Sequence, residues 1–200
     1  MPGTGLLDVA PGWLAPRLTL MGLAVLAGCA VPAEAPVAVR PEAGVVLARL
    51  PADVAGFQRG AVQDVAAADP GAGKVVEYAT PRRVAVGQVF LYDLGRAEVT
   101  AAELPVEAER AVSEATALPV DRTGRQLSVA SRSSLTVQGG DLSCALLTGT
   151  FGRNQVERQV CVGVVAGRFM RVQVTMPSRD APVVDARAFA QDVVGAARRG

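Results

Sequence analysis

The sequence predicts an α+β domain: one antiparallel β-sheet of about five to seven strands, with a C-terminal helix and a Glu-rich helix packed on it. Three observations carry this expectation. Short segments of alternating or continuous apolar residues, bounded by Gly and Pro, recur through the middle of the chain. Residues 105–118 and 183–199 have helical composition or spacing instead. The last strands follow one another through very short turns, as an antiparallel meander does.

In chain order, residues 43–50 read as a short apolar helix or strand closed by Pro51. Residues 54–65 hold Phe57, Val62 and Val65 without a clear period, an irregular start to the domain. Asp69-Pro70-Gly71-Ala72-Gly73 is a turn by composition. Residues 74–80 form a strand with Val76 and Tyr78 on one face, interrupted by Pro81-Arg82-Arg83. Residues 84–94 form the central strand. Val84, Val86, Gln88, Phe90 and Tyr92 alternate with Ala85, Val89 and Leu91, so both of its faces are expected to be covered. Asp93 to Arg96 form its exit turn.

Ala-rich and Glu-rich content makes 105–118 a helix. Val106, Glu109, Val112, Ala115 and Ala117 make only an imperfect stripe. Glu103, Glu107 and Glu109 crowd its first turns, where negative charge suits the helix dipole. Leu118-Pro119 ends it. Residues 126–138 alternate weakly, with Leu127, Val129, Ser131, Ser133, Leu135 and Val137 on one parity, which suits an edge strand. Residues 142–151, 154–165 and 169–176 form the meander, with turns at Gly152-Arg153 and Ala166-Gly167-Arg168. In the closing helix, Val183, Ala186, Phe189, Ala190, Val193, Val194 and Ala197 make one apolar stripe. Asp180 is its expected N-cap. This order of short strands, helix, meander and final helix resembles that of compact envelope domains such as the PsbP/Mog1-like sandwiches.

Hairpin geometry tests the cysteines. If Gly152 and Arg153 are the central residues of a type II′ turn, Phe151 faces Asn154, and stepping outward brings Cys144 opposite Cys161. That position is a non-hydrogen-bonded pair, with Cα atoms ~4.5 Å apart, at the short end of disulfide geometry. The neighbouring pairs Leu146/Gln159, Thr148/Glu157 and Thr150/Gln155 make this face rather polar, with Val156, Val160 and Val162 turned to the core. A structural disulfide is the expectation. The alternatives are free buried thiols or a redox pair, although CxxC spacing is absent.

Composition excludes much chemistry. The chain has no histidine, so a Ser-His-Asp triad, a Cys-His pair and a His-ligated metal site are ruled out. Its net charge of +1 argues against nucleic acid as a partner. No metal or cofactor motif is present, and the glycines lie in turns rather than in a phosphate-binding loop. Aromatics make up 4% of residues, so the core must be built mostly from Val, Leu and Ala.

The leader decides compartment. Arg17 precedes an apolar run from Leu18 to Ala27, too short to span a bilayer core. Small residues then lead to Cys29, the pattern of a secretory signal. Leu26-Ala27-Gly28-Cys29 resembles the lipobox of bacterial lipoproteins at all four positions. The resemblance implies a signal peptide over 1–28, cleavage before Cys29, and lipidation of Cys29. Two or more acyl chains would hold the protein to a membrane stably. Ala30, rather than Asp, follows the cysteine. In a Gram-negative cell this implies the outer membrane, facing the periplasm. Residues 29–42, with Pro32, Pro36 and Pro41, then form a lipidated tether, and 43–200 a single domain.

Candidate chemistry in that domain is sparse. Glu103, Glu107 and Glu109 suit a solvated helix start, or a general base or cation site. Ser131, Arg132, Ser133 and Ser134 suit a polar edge, since no base accompanies them. Arg82-Arg83 suits a turn, or a contact to a headgroup or carboxylate. Tyr78, Phe90 and Tyr92 suit the core, or a small-molecule pocket. Phe169, Met170, Met176 and Phe189 suit sheet–helix packing. The leading expectation is a non-catalytic envelope lipoprotein, an accessory or binding module for an envelope protein or cell-wall partner. The alternatives are a carrier of a small hydrophobic ligand and a carboxylate-dependent hydrolase.

Overall fold

The computed structural model describes residues 40–117, 124–179 and 181–199. Cys29, Leu118-Pro119 and Asp180 lie outside them. The architecture is α+β, with a single antiparallel sheet and helices on both faces. In chain order the strands are β1 (Asp53–Val54), β2 (Phe57–Asp64), β3 (Lys74–Ala79), β4 (Val86–Tyr92), β5 (Arg125–Leu135), β6 (Leu142–Phe151), β7 (Asn154–Val165) and β8 (Arg168–Pro177). They lie side by side as β1-β2-β3-β4-β8-β7-β6-β5. The helices are α1 (Ala43–Ala48), α2 (Leu104–Thr116) and α3 (Ala186–Arg198).

The sheet has eight strands, so the expected five to seven is low. The additional pair is the β1–β2 hairpin, inside the stretch that had no period. Its signal is weak because only Phe57 of β2 is buried, while Gly60 to Asp64 are all exposed. Ala55 and Gly56, both at positive φ, make the turn. The meander and the edge position of β5 match expectation. Residues 43–50 resolve to the helix α1.

The sheet separates two cores. Under α1 and α3 lie Val46, Val76, Tyr78, Val89, Met170, Val172 and Phe189. Under α2 lie Tyr92, Ala111, Ala145, Leu147, Val160 and Phe169. Both faces of β4 are thereby covered. Phe189 is the anchor of the first core. Its ring stands 4.5 Å from that of Phe57 and 5.2 Å, edge-on, from that of Tyr78. Gly87 makes room for it: a Cβ there would meet Phe189 Cζ at 3.0 Å. Full burial of such a ring contributes about 1.5–3 kcal/mol.

Four local expectations are corrected. First, the buried residues of α2 are Glu107, Ala108, Ala111, Val112 and Ala115, whereas Val106 is 76% exposed and Glu109 points to water. An Ala-rich helix offers little contrast between faces, so the imperfect stripe is right at Val112 and Ala115 and wrong at Val106 and Glu109. Second, the N-cap of α3 is Asp185, not Asp180. Its Oδ1 accepts from the backbone N–H groups of Arg187 and Ala188, each at 2.9 Å. Third, the parity of β5 does not persist. A bulge between Val129 and Ser131 turns Leu127 into the α2 core and Leu135 into the α3 core. Fourth, the cysteine face is not a polar outer face but part of the α3 core, because both sides of the sheet are roofed.

The cysteine register itself is as derived. Phe151 pairs with Asn154 and Cys144 with Cys161. Gly152 has φ 59°, as a type II′ turn needs at its first central position. The Cα atoms of Cys144 and Cys161 are 4.1 Å apart and their sulfurs lie at bonding distance, consistent with a disulfide.

Candidate functional site

Antiparallel pairing sorts the loops to two ends of the sheet. One end holds the β4 exit turn and the β7–β8 turn; the other holds the β3–β4 and β6–β7 turns. The described chain begins at the first end. Arg40 donates to Asp93 at 2.8 Å and to the Gly167 carbonyl at 3.2 Å. Arg168 donates to the Pro41 carbonyl at 2.6 Å. Desolvation lowers the pKa of Arg168, with Arg40 adding repulsion and Asp93 opposing both. Arg40 and Pro41, which the sequence reading assigns to the tether, are therefore fixed to the domain.

The acidic candidates separate. Glu103 caps the turn before α2, accepting from the Thr100 N–H at 2.8 Å, and pairs with Arg96. That backbone hydrogen bond, helped by Arg96, lowers its pKa. Glu109 pairs with Arg132 at 2.8 Å. Glu107 alone turns inward, which corrects the reading of all three as a solvated helix start. It is 4% exposed and accepts from the Tyr92 hydroxyl. It also accepts from Arg110 Nε at 2.7 Å and from a terminal Arg110 nitrogen at 2.5 Å. Burial, then the Glu107 hydrogen bond and charge, hold the Tyr92 phenol well above its usual range. Bonded to Tyr92 of β4 and to Arg110, Glu107 works as a packing lock between α2 and β4. Each acid answers a nearby arginine or backbone donor.

The aromatic candidates also part company. Tyr78 is buried in the α3 core, its hydroxyl donating to the Pro51 carbonyl at 2.8 Å. Burial pushes its pKa up to about 12, with Arg59 opposing. Phe90 and Tyr92 lie on the other face. Arg171 stacks over Phe90, 4.4 Å from the ring centre, and bonds Glu114 at 2.6 Å. Phe169 packs on Tyr92 with centroids 5.7 Å apart. Ser133 accepts from Arg187 at 2.9 Å and the Ser134 carbonyl does so at 3.3 Å, so the serine cluster ties β5 to α3.

Among the hollows on the α2 face of the sheet are two larger ones. One, of about 460 Å³, runs beside α2 and is lined by Leu104, Ala108, Val112, Arg132, Ala145 and Val160 among others. The larger, about 760 Å³, occupies the end of the sheet farthest from Arg40. Cross-strand rows build it. Val86, Thr175 and Arg158 form one row, and Pro177 pairs with Val156 in the next. Leu127 and the half-exposed Phe151 extend the apolar floor. Arg83 and Arg179 stand at the rim, and no Asp or Glu belongs to its walls. Arg158 is buried and donates to Thr175 Oγ1 at 2.9 Å. Arg83 bonds Glu77 of β3 at 2.6 Å. Sequence reasoning marked Arg83 as a turn residue or headgroup contact but missed the concavity, whose members come from five strands.

The chain matches no protein-family model and no curated protein. Among solved structures it is similar to the solution structure of cyanobacterial PsbP (CyanoP) from Synechocystis sp. PCC 6803. The two are 13% identical with a TM-score of 0.37, over 62% of this chain and 82% of that one.

Proposed function

We propose that this protein is a membrane-anchored envelope lipoprotein. It acts as a non-catalytic binding module, tied by lipidated Cys29 to a bilayer and presenting its far end to an envelope protein or cell-wall partner. The observation that supports this is the polarity of the domain. The chain comes in at Arg40 at one end of the sheet, and the larger hollow opens at the other. Eleven residues join Cys29 to Arg40 and reach at most about 36–40 Å. Within the domain, β7, twelve residues long, spans roughly 40 Å, and the hollow lies along its end away from Arg40. A partner would thus meet the hollow in the aqueous envelope space. Among the described residues, no helix is long and apolar enough to cross a membrane, and attachment is assigned to the acyl chains.

Fractionation tests the anchor. Cys29→Ser should move the protein from the membrane pellet to the soluble fraction, and the native N-terminal peptide should carry a diacylglyceryl mass. An unmodified thiol on membrane-free protein sinks the reading. Crosslinking in membranes, followed by purification, should return a reproducible partner; repeated failure to do so counts against a module.

The hollow of about 760 Å³ favours a second reading, a carrier of a small hydrophobic ligand. It falls within the roughly 300–1,000 Å³ of small-molecule sites.

A further inference from the structure

We propose that the hollow between the β3–β4 turn and the β6–β7 hairpin takes a long-chain carboxylate, its head held by Arg83 and Arg179 at the rim. This rests on the carrier reading and adds the chemistry of the ligand. Within the floor, Pro177 pairs with Val156, Val86 lies diagonal to Pro177, and Leu127 and Phe151 lie beyond, an apolar strip beside Thr175 and Arg158. Such a strip suits an alkyl chain, each buried methylene of which strengthens binding about fourfold. The charge of the walls is one-sided. Three guanidinium groups line them and no carboxylate does. Arg179 is exposed, and among the described residues it makes no ion pair. Glu77 takes one donor of Arg83 from outside the walls, and the side chain of Arg83 remains 64% exposed, with donors left for a ligand. A neutral hydrocarbon would leave Arg179 unanswered, whereas a carboxylate matches the fork of a guanidinium. A small anion without a chain would leave the apolar strip wet.

The test uses the full chain carrying Cys29→Ser, which removes acyl chains that would compete for the site. Chemical-shift mapping follows titration with myristate, myristyl alcohol and inorganic phosphate, below the micelle concentration. Myristate should saturate and move the resonances of Val86, Val156 and Thr175. The alcohol should bind at least about tenfold more weakly, and phosphate should not saturate. The double variant Arg83→Ser/Arg179→Ser changes only exposed side chains. It should weaken myristate at least about fivefold and leave the alcohol unchanged. Equal binding of myristate and alcohol, indifferent to the double variant, overturns recognition of the head while leaving a carrier standing. Saturable phosphate binding without myristate binding overturns the amphiphile. Saturation that moves resonances elsewhere overturns the site. No binding by any of the three overturns the carrier reading together with this inference.

Discussion

Replacing Glu107 by Ala should destabilise the protein by about 2–4 kcal/mol. Glu107 holds the Tyr92 hydroxyl and two donors of Arg110. Tyr92 is 4% exposed, so its hydroxyl would lose its acceptor in a dry place, at a cost of about 1–3 kcal/mol. Arg110 has a softer fate. Its side chain is 38% exposed and also pairs with Glu114, so its loss adds only about 1 kcal/mol. Glu107→Gln keeps an acceptor for Tyr92 and should cost about 1 kcal/mol. Glu109→Ala, three-fifths exposed, should stay within about 0.5 kcal/mol of the parent. Urea unfolding followed by circular dichroism reads all three, provided the slope m is unchanged. A Glu107→Ala variant as stable as the parent, or no less stable than Glu109→Ala, would refute the lock.

Other outcomes follow from the same packing. Tyr78, raised to about 12 from an ordinary value of 10.0, stabilises the fold fully below pH 10. That contribution, up to about 2.7 kcal/mol, is lost as pH rises from 10 to about 12. Unfolding midpoints across that window should fall, and should fall less steeply in Tyr78→Phe. Unreduced, exported protein should weigh two hydrogens less than the dithiol form; alkylation of both Cys144 and Cys161 without reduction would remove the disulfide. Replacing both cysteines by Ala should cost up to about 3 kcal/mol in thermal unfolding, for a sequence separation of 17. Gly87→Val should cost about 1–3 kcal/mol, because its side chain would enter the seat of the Phe189 ring; an unchanged melting temperature would contradict that packing.

Much of the fold was legible because its signals are local. The meander declares itself through strand alternation and turns such as Gly152-Arg153, and α3 through a stripe that includes Phe189, Val193 and Val194. What escaped depends on partners far away in sequence. β2 shows no period because one buried residue, Phe57, suffices to dock it. Glu107 reads as a surface acid until Tyr92, fifteen residues earlier, supplies a reason to bury it. The cysteine face reads as rather polar until α3, more than twenty residues on, roofs it. The concavity was invisible for the same reason, since Val86, Val156 and Leu127 become neighbours only when the sheet is assembled.

The single extra residue in β5 has a consequence for how this domain tolerates change. An ordinary strand has one inside and one outside for its whole length. Here Leu127 seals one interior and Leu135 the other, and the switch between them is the irregular step at Ala130. Deleting that alanine would force one of the two leucines out into solvent, so a length change that most surface segments absorb would here unseat half a strand. The border of the sheet thus works as a stitch joining two compartments, and its spacing matters more than the chemistry of its side chains.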